Sequence, residues 1–214
     1  MTYKTLKDCI IDLERANQLI RIDYEVDPYL EMASIHLEEF SKKGKAIFFE
    51  NIKGTKYPAV SNLFGTLERS NFIFRNDLEY VKNLIKLRIN PRESLRNPVQ
   101  SFVTAFHGIY SIPKKVHFTT MFKEIKIQDL PQVQCWKDDG GPFITLPQVY
   151  SEDISNPGIL NSNLGMYRIQ LSGNEYILNE EVGMHYQIHR GIGVHQKKSN
   201  SQGKPLKVSI FVGG

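Results

Sequence analysis

The chain has little cysteine, and the two residues it has, Cys9 and Cys135, lie far apart with no CxxC spacing. This scarcity argues against a disulfide-stapled secreted scaffold and favours reduced thiols in a cytoplasmic protein. Long hydrophobic runs are also missing, since no stretch approaches the roughly 20 apolar residues that cross a bilayer. The amino terminus has no apolar signal core. We therefore predict no stable membrane insertion.

An excess of charge of one sign is missing too. The 27 basic and 23 acidic residues are mixed along 214 positions and leave a net charge of +4. A nucleic-acid-binding protein would concentrate its basic residues in one stripe, so we expect no nucleic-acid partner and favour an acidic small molecule. A hydrophobic fraction of 41% is ordinary for a soluble globular protein, and the length allows one large domain or two small ones.

Helix signals are clear in the first hundred residues. Thr5 and Asp8 resemble a capping box, and apolar residues then recur at helical spacing up to Ala16. A second helix is predicted to start at Asp27-Pro28, as cap and first helical residue, and to end at Lys42-Lys43-Gly44. The predicted buried face of this second helix consists of Leu30, Ala33, Leu37 and Phe40.

Strand signals alternate with these helices. The predicted strands are Leu19–Ile22, Ala46–Phe49 and Ala59–Leu63. A later helix carries Leu78, Val81 and Ile85 in register. Alternating elements of this kind indicate an α/β domain. Prolines then interrupt the pattern, and we place a boundary between Pro98 and Pro113, which gives an N-terminal α/β domain over residues 1–112.

The second part of the chain, residues 113–214, has a different character. Short β-like segments separated by turn sequences predict a barrel or a sandwich. The segments are Glu124–Ile127, Phe143–Tyr150, Gly165–Leu171, Met184–Ile188 and Lys207–Val212. The last of them is strongly β-prone and largely apolar, so it needs neighbours on its edges and cover on its faces. Because only two glycines follow it, we expect a truncation, a split gene product or an engineered boundary.

Polar residues and glycines are densest between Asn161 and His195. Alternation from Tyr167 to Leu171 places Arg168 and Gln170 on one strand face and the apolar residues on the other. Arg168 is compatible with two roles, a solvated outward residue or a ligand-binding residue inside a barrel. Arginines beside glycine-rich backbone favour a phosphate or carboxylate ligand, because a guanidinium binds planar oxyanions through paired hydrogen bonds.

Other polar residues of this part of the chain also leave alternatives open. His185 and His189 are compatible with a metal pair, but without an HExxH sequence a structural or surface role is favoured. His195, which precedes a run of lysine, serine and asparagine, is predicted to face solvent. The aspartates of Asp138-Asp139-Gly140-Gly141 are compatible with metal binding, although the sequence is first of all that of a turn.

Four ordered sequence blocks resemble the UbiD family of decarboxylases. Asn163-Leu164-Gly165-Met166-Tyr167-Arg168 is similar to the family's Asn-x-Gly-x-Tyr-Arg strand, and His189-Arg190-Gly191 to the His-Arg-Gly segment that follows it. Upstream, Ser61-Asn62-Leu63-Phe64-Gly65-Thr66 and Asp139-Gly140-Gly141-Pro142-Phe143-Ile144-Thr145 resemble two further family segments. The ending, Val208–Gly214, resembles a strand inside the family's middle domain.

The resemblance implies an α/β fold, with a small N-terminal α/β domain followed, over residues 113–214, by the first part of a split β-barrel. This barrel would bind prenylated FMN together with a divalent cation, usually manganese, and often potassium. By position, Asn163 and His189 would be metal ligands, and Arg168 would be the catalytic residue that holds the substrate carboxylate. The cofactor would be lined by Met166, Tyr167, Arg168, His185, Tyr186, Gln187, Arg190 and Gly191.

The resemblance also implies an incomplete site. The family uses two acidic residues beside the arginine and a glutamate on the metal, all downstream of the position matched by Gly214, so the chain alone is expected to be inactive. The parent enzyme would be a homo-oligomer that reversibly removes carbon dioxide from aromatic or α,β-unsaturated acids, with ubiquinone or menaquinone precursors as the substrate class most often suggested. A flavin prenyltransferase would supply its cofactor.

The alternative interpretation is a protein without catalytic activity of its own. It would be a flavin- or phosphate-binding module, or a split subunit that regulates or completes a full-length relative.

Overall fold

The computed structural model describes residues 3–89, 102–103, 106 and 124–213. In the first of these ranges the helices are α1 (Leu6–Arg15), α2 (Glu31–Ser41), α3 (Leu67–Ile73) and α4 (Leu78–Ile89). The predicted capping box of α1 is confirmed, because the Thr5 hydroxyl accepts from the Asp8 amide while the Asp8 carboxylate accepts from the Thr5 amide, both at 3.1 Å. The predicted domain boundary lies outside the described residues and stays a prediction.

A three-stranded sheet forms the centre of the first region. Its strands β1 (Leu19–Val26), β2 (Ala46–Ile52) and β3 (Ala59–Ser61) stand in the order β1-β2-β3, with β1 and β2 parallel and β3 antiparallel to β2. Leu13 of α1 packs in one cluster with Ala46, and Met32 of α2 packs in another with Phe49. Both faces of β2 are therefore covered, as its continuous apolar sequence predicts.

The predicted start of the second helix is wrong. Asp27 caps no helix; its carboxylate accepts from the Tyr29 amide at 2.8 Å and pairs with Lys53. The next residues bond far along the chain, since the Leu30 amide donates to the Gln134 carbonyl and Tyr29 forms an isolated bridge with Gln134. Because this pairing uses their backbone groups, α2 begins only at Glu31, after Leu30 at a φ of 65°.

The predicted buried face of α2 is also wrong in part. Ala33 is buried as predicted, with Met32 beside it, but Leu37 and Phe40 are about half exposed. The residues of α2 that pack on the β1–β2 sheet are instead Met32 and Ile35. At the other end the left-handed residue is Lys43, at a φ of 53°, and not the predicted Gly44.

The helix predicted from Leu78, Val81 and Ile85 is present as α4. Its apolar stripe is not buried as the periodicity suggests, because Val81 and Ile85 are each about half exposed. The pattern therefore predicts the element and not its packing.

In the second region, the described residues 124–213 form two small antiparallel sheets and one α-helix. One sheet has the order β4-β7-β8, formed by β4 (Phe143–Ile144), β7 (Ile169–Gln170) and β8 (Gly183–Met184). The other has the order β6-β5-β9, formed by β5 (Gln148–Glu152), β6 (Ser162–Met166) and β9 (Val208–Phe211). The α/β class is confirmed, but within the described residues these strands close no barrel, and the split barrel stays a prediction.

Of the five predicted β segments, two are divided, two are shortened and one is absent. Phe143–Tyr150 is two strands because Pro147 lies between them and cannot donate to a ladder. Gly165–Leu171 also divides, since the chain leaves one sheet after Met166 and enters the other at Ile169. Glu124–Ile127 forms no strand; a 3₁₀ turn over Ile127–Asp129 follows, closed by the Asp129 carboxylate on the Lys126 amide.

The helix α5 (Gly191–Ser201) is not predicted by the sequence. Glycine, serine and asparagine are weak helix formers, so its stability comes from the face it buries. Ile192, His195 and Ser199 are all buried, and Ile192 packs in one cluster with Val149 and Ile169. Burying one such aliphatic side chain contributes roughly 2 kcal/mol. The expectation that His195 faces solvent is wrong.

Among the residues placed by the structure, no helix is long and apolar enough to cross a membrane. Both cysteines are free thiols, with Cys9 buried in the α1 core as predicted and Cys135 half-buried. Burial raises the pKa of both thiols.

Candidate functional site

Four predicted site residues meet where α5 begins. Asn163 on β6 lies against Gly191, the first residue of α5, so closely that a Cβ on the glycine would sit 2.1 Å from the Asn163 Oδ1. The Asn163 Nδ2 donates to the Tyr167 hydroxyl at 3.3 Å, and the Tyr167 ring meets Tyr186 edge-on at 6.5 Å between centroids. Residues from two motifs are thus brought together. We call Asn163, Tyr167, Tyr186 and Gly191 the Asn163 group.

A second group forms around Arg168. Its Nη2 donates to the His185 Nδ1 at 3.3 Å, and its guanidinium carbon lies 5.3 Å from the centre of the Phe143 ring. Phe143 also meets His185 edge-on at 5.3 Å. Phe143 belongs to a motif that sequence analysis quoted without giving the residue a role. Arg168 is exposed and is held on one side, which leaves further N–H groups of its fork for a ligand.

Gln170 is the residue of this site that sequence reasoning missed. It stands on the same strand face as Arg168, as the alternation predicts, but its side chain is only 2% exposed. A fully buried glutamine needs partners for all of its donors and acceptors. That alternation was the available signal, because a polar residue two positions from a functional arginine shares its face.

The amino end of α5 has no side-chain cap. Arg190 occupies the N-cap position and makes no capping hydrogen bond with its side chain, which instead donates from Nε to the Gln187 Oε1 at 3.1 Å. By contrast, Thr5 and Thr66 cap α1 and α3. First-turn amides without a cap attract negative charge, and Arg190 adds a positive charge at the same end.

Met166 and His189 are in neither of these groups and do not contact the amino end of α5 through an observed hydrogen bond among the described residues. Met166 is 62% exposed at the end of β6. His189 is exposed, and within the described ranges its side chain forms no hydrogen bond and does not meet Asn163. The same part of the chain contains no cluster of three His, Cys, Asp or Glu side chains that could hold a metal. An amide oxygen and an imidazole alone leave a manganese ion without the carboxylate it favours.

His195 has a buried partner instead of solvent. Its Nδ1 shares a hydrogen bond of 3.0 Å with the Ser151 hydroxyl on β5, and Ser151 is 1% exposed. Ser151 stands directly opposite Asn163 in the β5–β6 ladder. The sheet therefore holds α5 at two points one helical turn apart, Gly191 and His195. No local sequence pattern signals a contact between residues this distant in the chain.

An ion pair is the third contact that anchors α5. Lys198 pairs with Asp153, and this ammonium, with a backbone hydrogen bond from Ser155, lowers the pKa of the Asp153 carboxyl below its usual range. Lys198, which belongs to the polar run after His195, is thus half of an ion pair that fixes the helix to the end of β5.

The aspartates before Gly140-Gly141 form a turn, as the sequence favours over metal binding. The Asp139 carboxylate accepts from the Trp136 amide at 3.0 Å, and the Asp139 amide donates back to the Trp136 carbonyl at 3.1 Å. A carboxylate engaged in its own turn is a poor candidate for a metal ligand.

A surface groove of about 500 Å³ lies elsewhere, between β5, β9 and residues 204–207. Tyr150, Pro157, Leu206 and Val208 are among its mostly apolar lining residues, and none of the predicted site residues is. Volume alone does not make it the active site, because it lacks the arginines and the helix start that an anionic ligand would use.

Comparison with family models covers most of the chain. Residues 10–88 match the 3-octaprenyl-4-hydroxybenzoate carboxy-lyase N-terminal domain, UbiD_N. Residues 111–214 match the 3-octaprenyl-4-hydroxybenzoate carboxy-lyase Rift-related domain, UbiD. The two models follow one another in the order that the four sequence blocks predict.

Curated relatives agree with this match. A Chlamydia pneumoniae protein, named as a subunit of 4-hydroxybenzoate decarboxylase, is 32% identical over 205 residues, which cover 92% of this chain and 33% of that protein. An uncharacterised Aquifex aeolicus protein is 31% identical over 222 residues, which cover 99% of this chain and 44% of that protein. The chain thus spans between 33% and 44% of the length of these two relatives.

Solved structures share the fold. The vanillic acid decarboxylase of Sedimentibacter hydroxybenzoicus in its closed form superposes with a TM-score of 0.75 at 25% identity, covering 100% of this chain and 44% of that chain. The UbiD-class enzyme HmfF from Pelotomaculum thermopropionicum, solved in complex with prFMN, gives 0.67 at 19% identity, covering 99% of this chain and 44% of that chain. At 19% the likeness shows the fold alone.

Proposed function

The chain belongs to the UbiD family of carboxy-lyases, and from that premise we propose that it is the amino-terminal part of a prenylated-FMN-dependent decarboxylase. The proposed reaction is the reversible removal of carbon dioxide from an aromatic or α,β-unsaturated acid, with quinone precursors as one substrate class. The observation that carries the proposal is the group formed by Arg168, His185 and Phe143. In it, an exposed guanidinium is held from one side by the other two side chains.

The role proposed for Arg168 is to bind the substrate carboxylate. A guanidinium presents N–H pairs that match a carboxylate with two parallel hydrogen bonds, and such a clamp fixes the carbon–carbon bond that must break. Phe143 supports the cation from its ring face, and His185 fixes one edge. Neither Phe143 nor His185 is an anion, so neither competes with a substrate carboxylate for the charge of the guanidinium.

The role proposed for Arg190 and the start of α5 is to bind the phosphate of the cofactor. The uncapped first turn of α5 and the Arg190 guanidinium supply backbone donors and positive charge together. Gly191 lets the Asn163 side chain approach this end of the helix. Tyr167, His185, Tyr186 and Gln187 complete the proposed cofactor surface, and Met166 flanks it. When bound, prenylated FMN supplies the electron sink for the charge left on carbon.

Asn163 and His189 are the residues of this chain that would hold manganese, with potassium as a further ion, but the described residues contain no cluster of three His, Cys, Asp or Glu side chains that could hold a metal. We therefore assign no step to the metal. The same shortage extends to proton transfer, because the hydrogen-bond partner of Arg168 in the described residues is His185 and not an acid.

The test is decarboxylation after co-expression with a flavin prenyltransferase. We expect the 214-residue chain to release no carbon dioxide from 4-hydroxybenzoate or vanillate. We expect activity when the missing carboxylates are supplied in an extended polypeptide or a second subunit, and loss of that activity in Arg168→Met. Turnover by the 214-residue chain alone would contradict the proposal that its site is incomplete.

A second candidate function, a binding module without turnover, is favoured by the lack of a carboxylate at Arg168 in the described residues. It would retain flavin or phosphate, or would complete a full-length relative. Bound flavin in the absorption spectrum, with no carbon dioxide release from any extended form, would support this alternative.

A further inference from the structure

Gln170 sits at the end of β7 with every polar atom of its side chain engaged. Its Nε2 donates to the carbonyl oxygens of Gly140 at 2.9 Å and Ser172 at 3.1 Å. Its Oε1 faces the Asn174 Nδ2 and the His185 Nε2, each at 3.4 Å. An amide has two N–H donors and a carbonyl oxygen with two lone pairs, so all four positions of this buried group are filled.

The two carbonyl oxygens decide which way the amide points. A carbonyl only accepts, so the atom between Gly140 and Ser172 has to be the nitrogen, and reversing the amide would place three oxygens together. These contacts are also shorter than the two at Oε1, and they determine the orientation more strongly than the longer ones. The oxygen of Gln170 therefore faces the imidazole of His185.

This orientation dictates the protonation of His185. The Gln170 oxygen only accepts, so the Nε2 of His185 carries a proton. On the other side the Arg168 guanidinium only donates, so the Nδ1 of His185, 3.3 Å from Nη2, is unprotonated. Both neighbours require the same form, the neutral imidazole with its hydrogen on Nε2.

Two glycine turns bring the carbonyls to Gln170. Gly141 has a φ of 154°, and a Cβ there would lie 2.1 Å from the Ser172 oxygen. Gly173 has a φ of 94°, and a Cβ there would lie 1.8 Å from the Gly140 oxygen. Only glycine permits both the backbone conformation and the approach. The turn that sequence analysis weighed as a metal site thus builds the pocket of this amide.

We propose that Gln170 is a positioning residue that acts through His185 on Arg168. By fixing the Nε2–H form of the imidazole, it provides an unprotonated nitrogen that holds one edge of the guanidinium and leaves the remaining N–H groups to a carboxylate. The role of the carboxylate rests on the proposed function. The protonation of His185 does not, because it follows from this chain's own donors and acceptors.

The direct test is long-range ¹H–¹⁵N NMR of the histidine rings, performed without cofactor or substrate. The chain has six histidines, and His185→Asn assigns the signals of interest. In the unmodified protein at pH 8 we expect His185 with an unprotonated Nδ1 and a protonated Nε2. In Gln170→Met, which removes the oxygen that accepts from Nε2, we expect the Nε2–H form to lose part of its population and the two ring-nitrogen signals of His185 to move towards one another.

Gln148→Met is the matched control, because Gln148 is an exposed glutamine on β5 outside both groups. It should leave the His185 signals unchanged. A hydrogen on Nδ1 in the unmodified protein would overturn the proposal. Identical His185 signals in Gln170→Met and the unmodified protein would overturn it as well.

The link to Arg168 is tested in the extended, active decarboxylase. Gln170→Met keeps the volume but removes the amide, and we expect KM for the acid substrate to rise about tenfold with a smaller change in kcat. Rescue in Gln170→Asn is not expected, because a side chain one methylene shorter does not reach both sets of partners. An unchanged KM would overturn the link. If no form decarboxylates but the NMR result holds, the proposed function fails and the positioning of His185 stands.

Discussion

Two arginines, one in each region of the chain, show opposite uses of the same side chain. Arg69 on α3 is 3% exposed and donates to the carbonyl oxygens of Asn62, Leu63 and Gly44 at 2.6–3.1 Å. Arg168 is exposed, and among the described residues its side chain has one hydrogen-bond partner, His185. A guanidinium with its N–H groups committed to backbone holds a loop in place, whereas one held at a single edge remains available to a ligand.

The same contrast separates two of the motifs that carry the family resemblance. Ser61–Thr66 contains two of the three carbonyls that Arg69 binds and the threonine that caps α3, so it joins β3 and α3 into one unit. Asn163–Arg168 instead carries side chains that lie in the two groups of the candidate site. A motif can therefore identify a family through its fold alone, and only the second of these two motifs points to chemistry.

Replacing each arginine with methionine is the sharpest way to test this comparison. We expect Arg69→Met to lower the free energy of unfolding by about 3 kcal/mol, because it leaves several buried carbonyls without a donor. Arg168→Met should change it by no more than about 0.5 kcal/mol. The measurement is urea unfolding followed by circular dichroism. Similar losses in the two variants would show that Arg168 also builds the fold.

Burial also affects the ionisation of Arg69. It lowers the pKa of the guanidinium, although an arginine stays protonated throughout the physiological range. Arg69→Lys is therefore an informative control, since it keeps a positive charge but loses the planar fork that reaches three carbonyls. It should fall between the unmodified protein and Arg69→Met.

Local signals in the sequence predict the first region better than the second. Thr5, Asp8 and the apolar spacing after them lie within one turn of each other, and α1 follows them closely. The start of α2 depends on pairing with Gln134, far along the chain, and no local rule contains it. Helix α5 is similar, because its stability comes from Ile192 and His195 packing on strands and not from its glycine-rich composition.

The candidate site divides in the same way. Motif matching found Asn163, Tyr167 and Arg168, and the structure gathers them near Gly191 and His185. Motif matching missed Gln170, because the burial of this side chain depends on the assembled sheet and not on the local sequence. The family match confirms the identification of the chain, and the individual roles of these residues stay predictions.

A second pair of residues sharpens the comparison within one residue type. His195 is buried on Ser151, whereas His189 is exposed, although sequence analysis expected the first in solvent and gave the second a metal. We expect His195→Leu to cost about 1–2 kcal/mol of unfolding free energy, since it leaves the buried Ser151 hydroxyl unpaired. His189→Leu should cost less than about 0.5 kcal/mol.

A double-mutant cycle with Ser151→Ala separates the hydrogen bond from packing. We expect a coupling of about 1 kcal/mol between Ser151→Ala and His195→Leu. Strictly additive losses would mean that the two side chains touch without stabilising one another. The free energies come from the same urea titrations as those for the arginine variants.

The smallest expected effect belongs to an ion pair at the edge of the first region. The Asp12 carboxylate accepts from the Tyr3 hydroxyl and from Arg75, both at 2.6 Å. The Tyr3 hydrogen bond first, and the Arg75 hydrogen bond second, lower the pKa of Asp12 below its ordinary value. An acid whose pKa is lower in the folded than in the unfolded state stabilises the fold only while it is ionised.

That stabilisation is present at neutral pH and is lost as the pH falls below about 4, through the ordinary range of aspartate and then the lower pKa of the folded state. Because both side chains of the ion pair are partly exposed, we expect Asp12→Asn to cost no more than about 1 kcal/mol at pH 7. The difference from the unmodified protein should shrink towards pH 3 in urea titrations. A difference that stays constant from pH 7 to pH 3 would show that Asp12 contributes through the shape of its side chain and not through its charge.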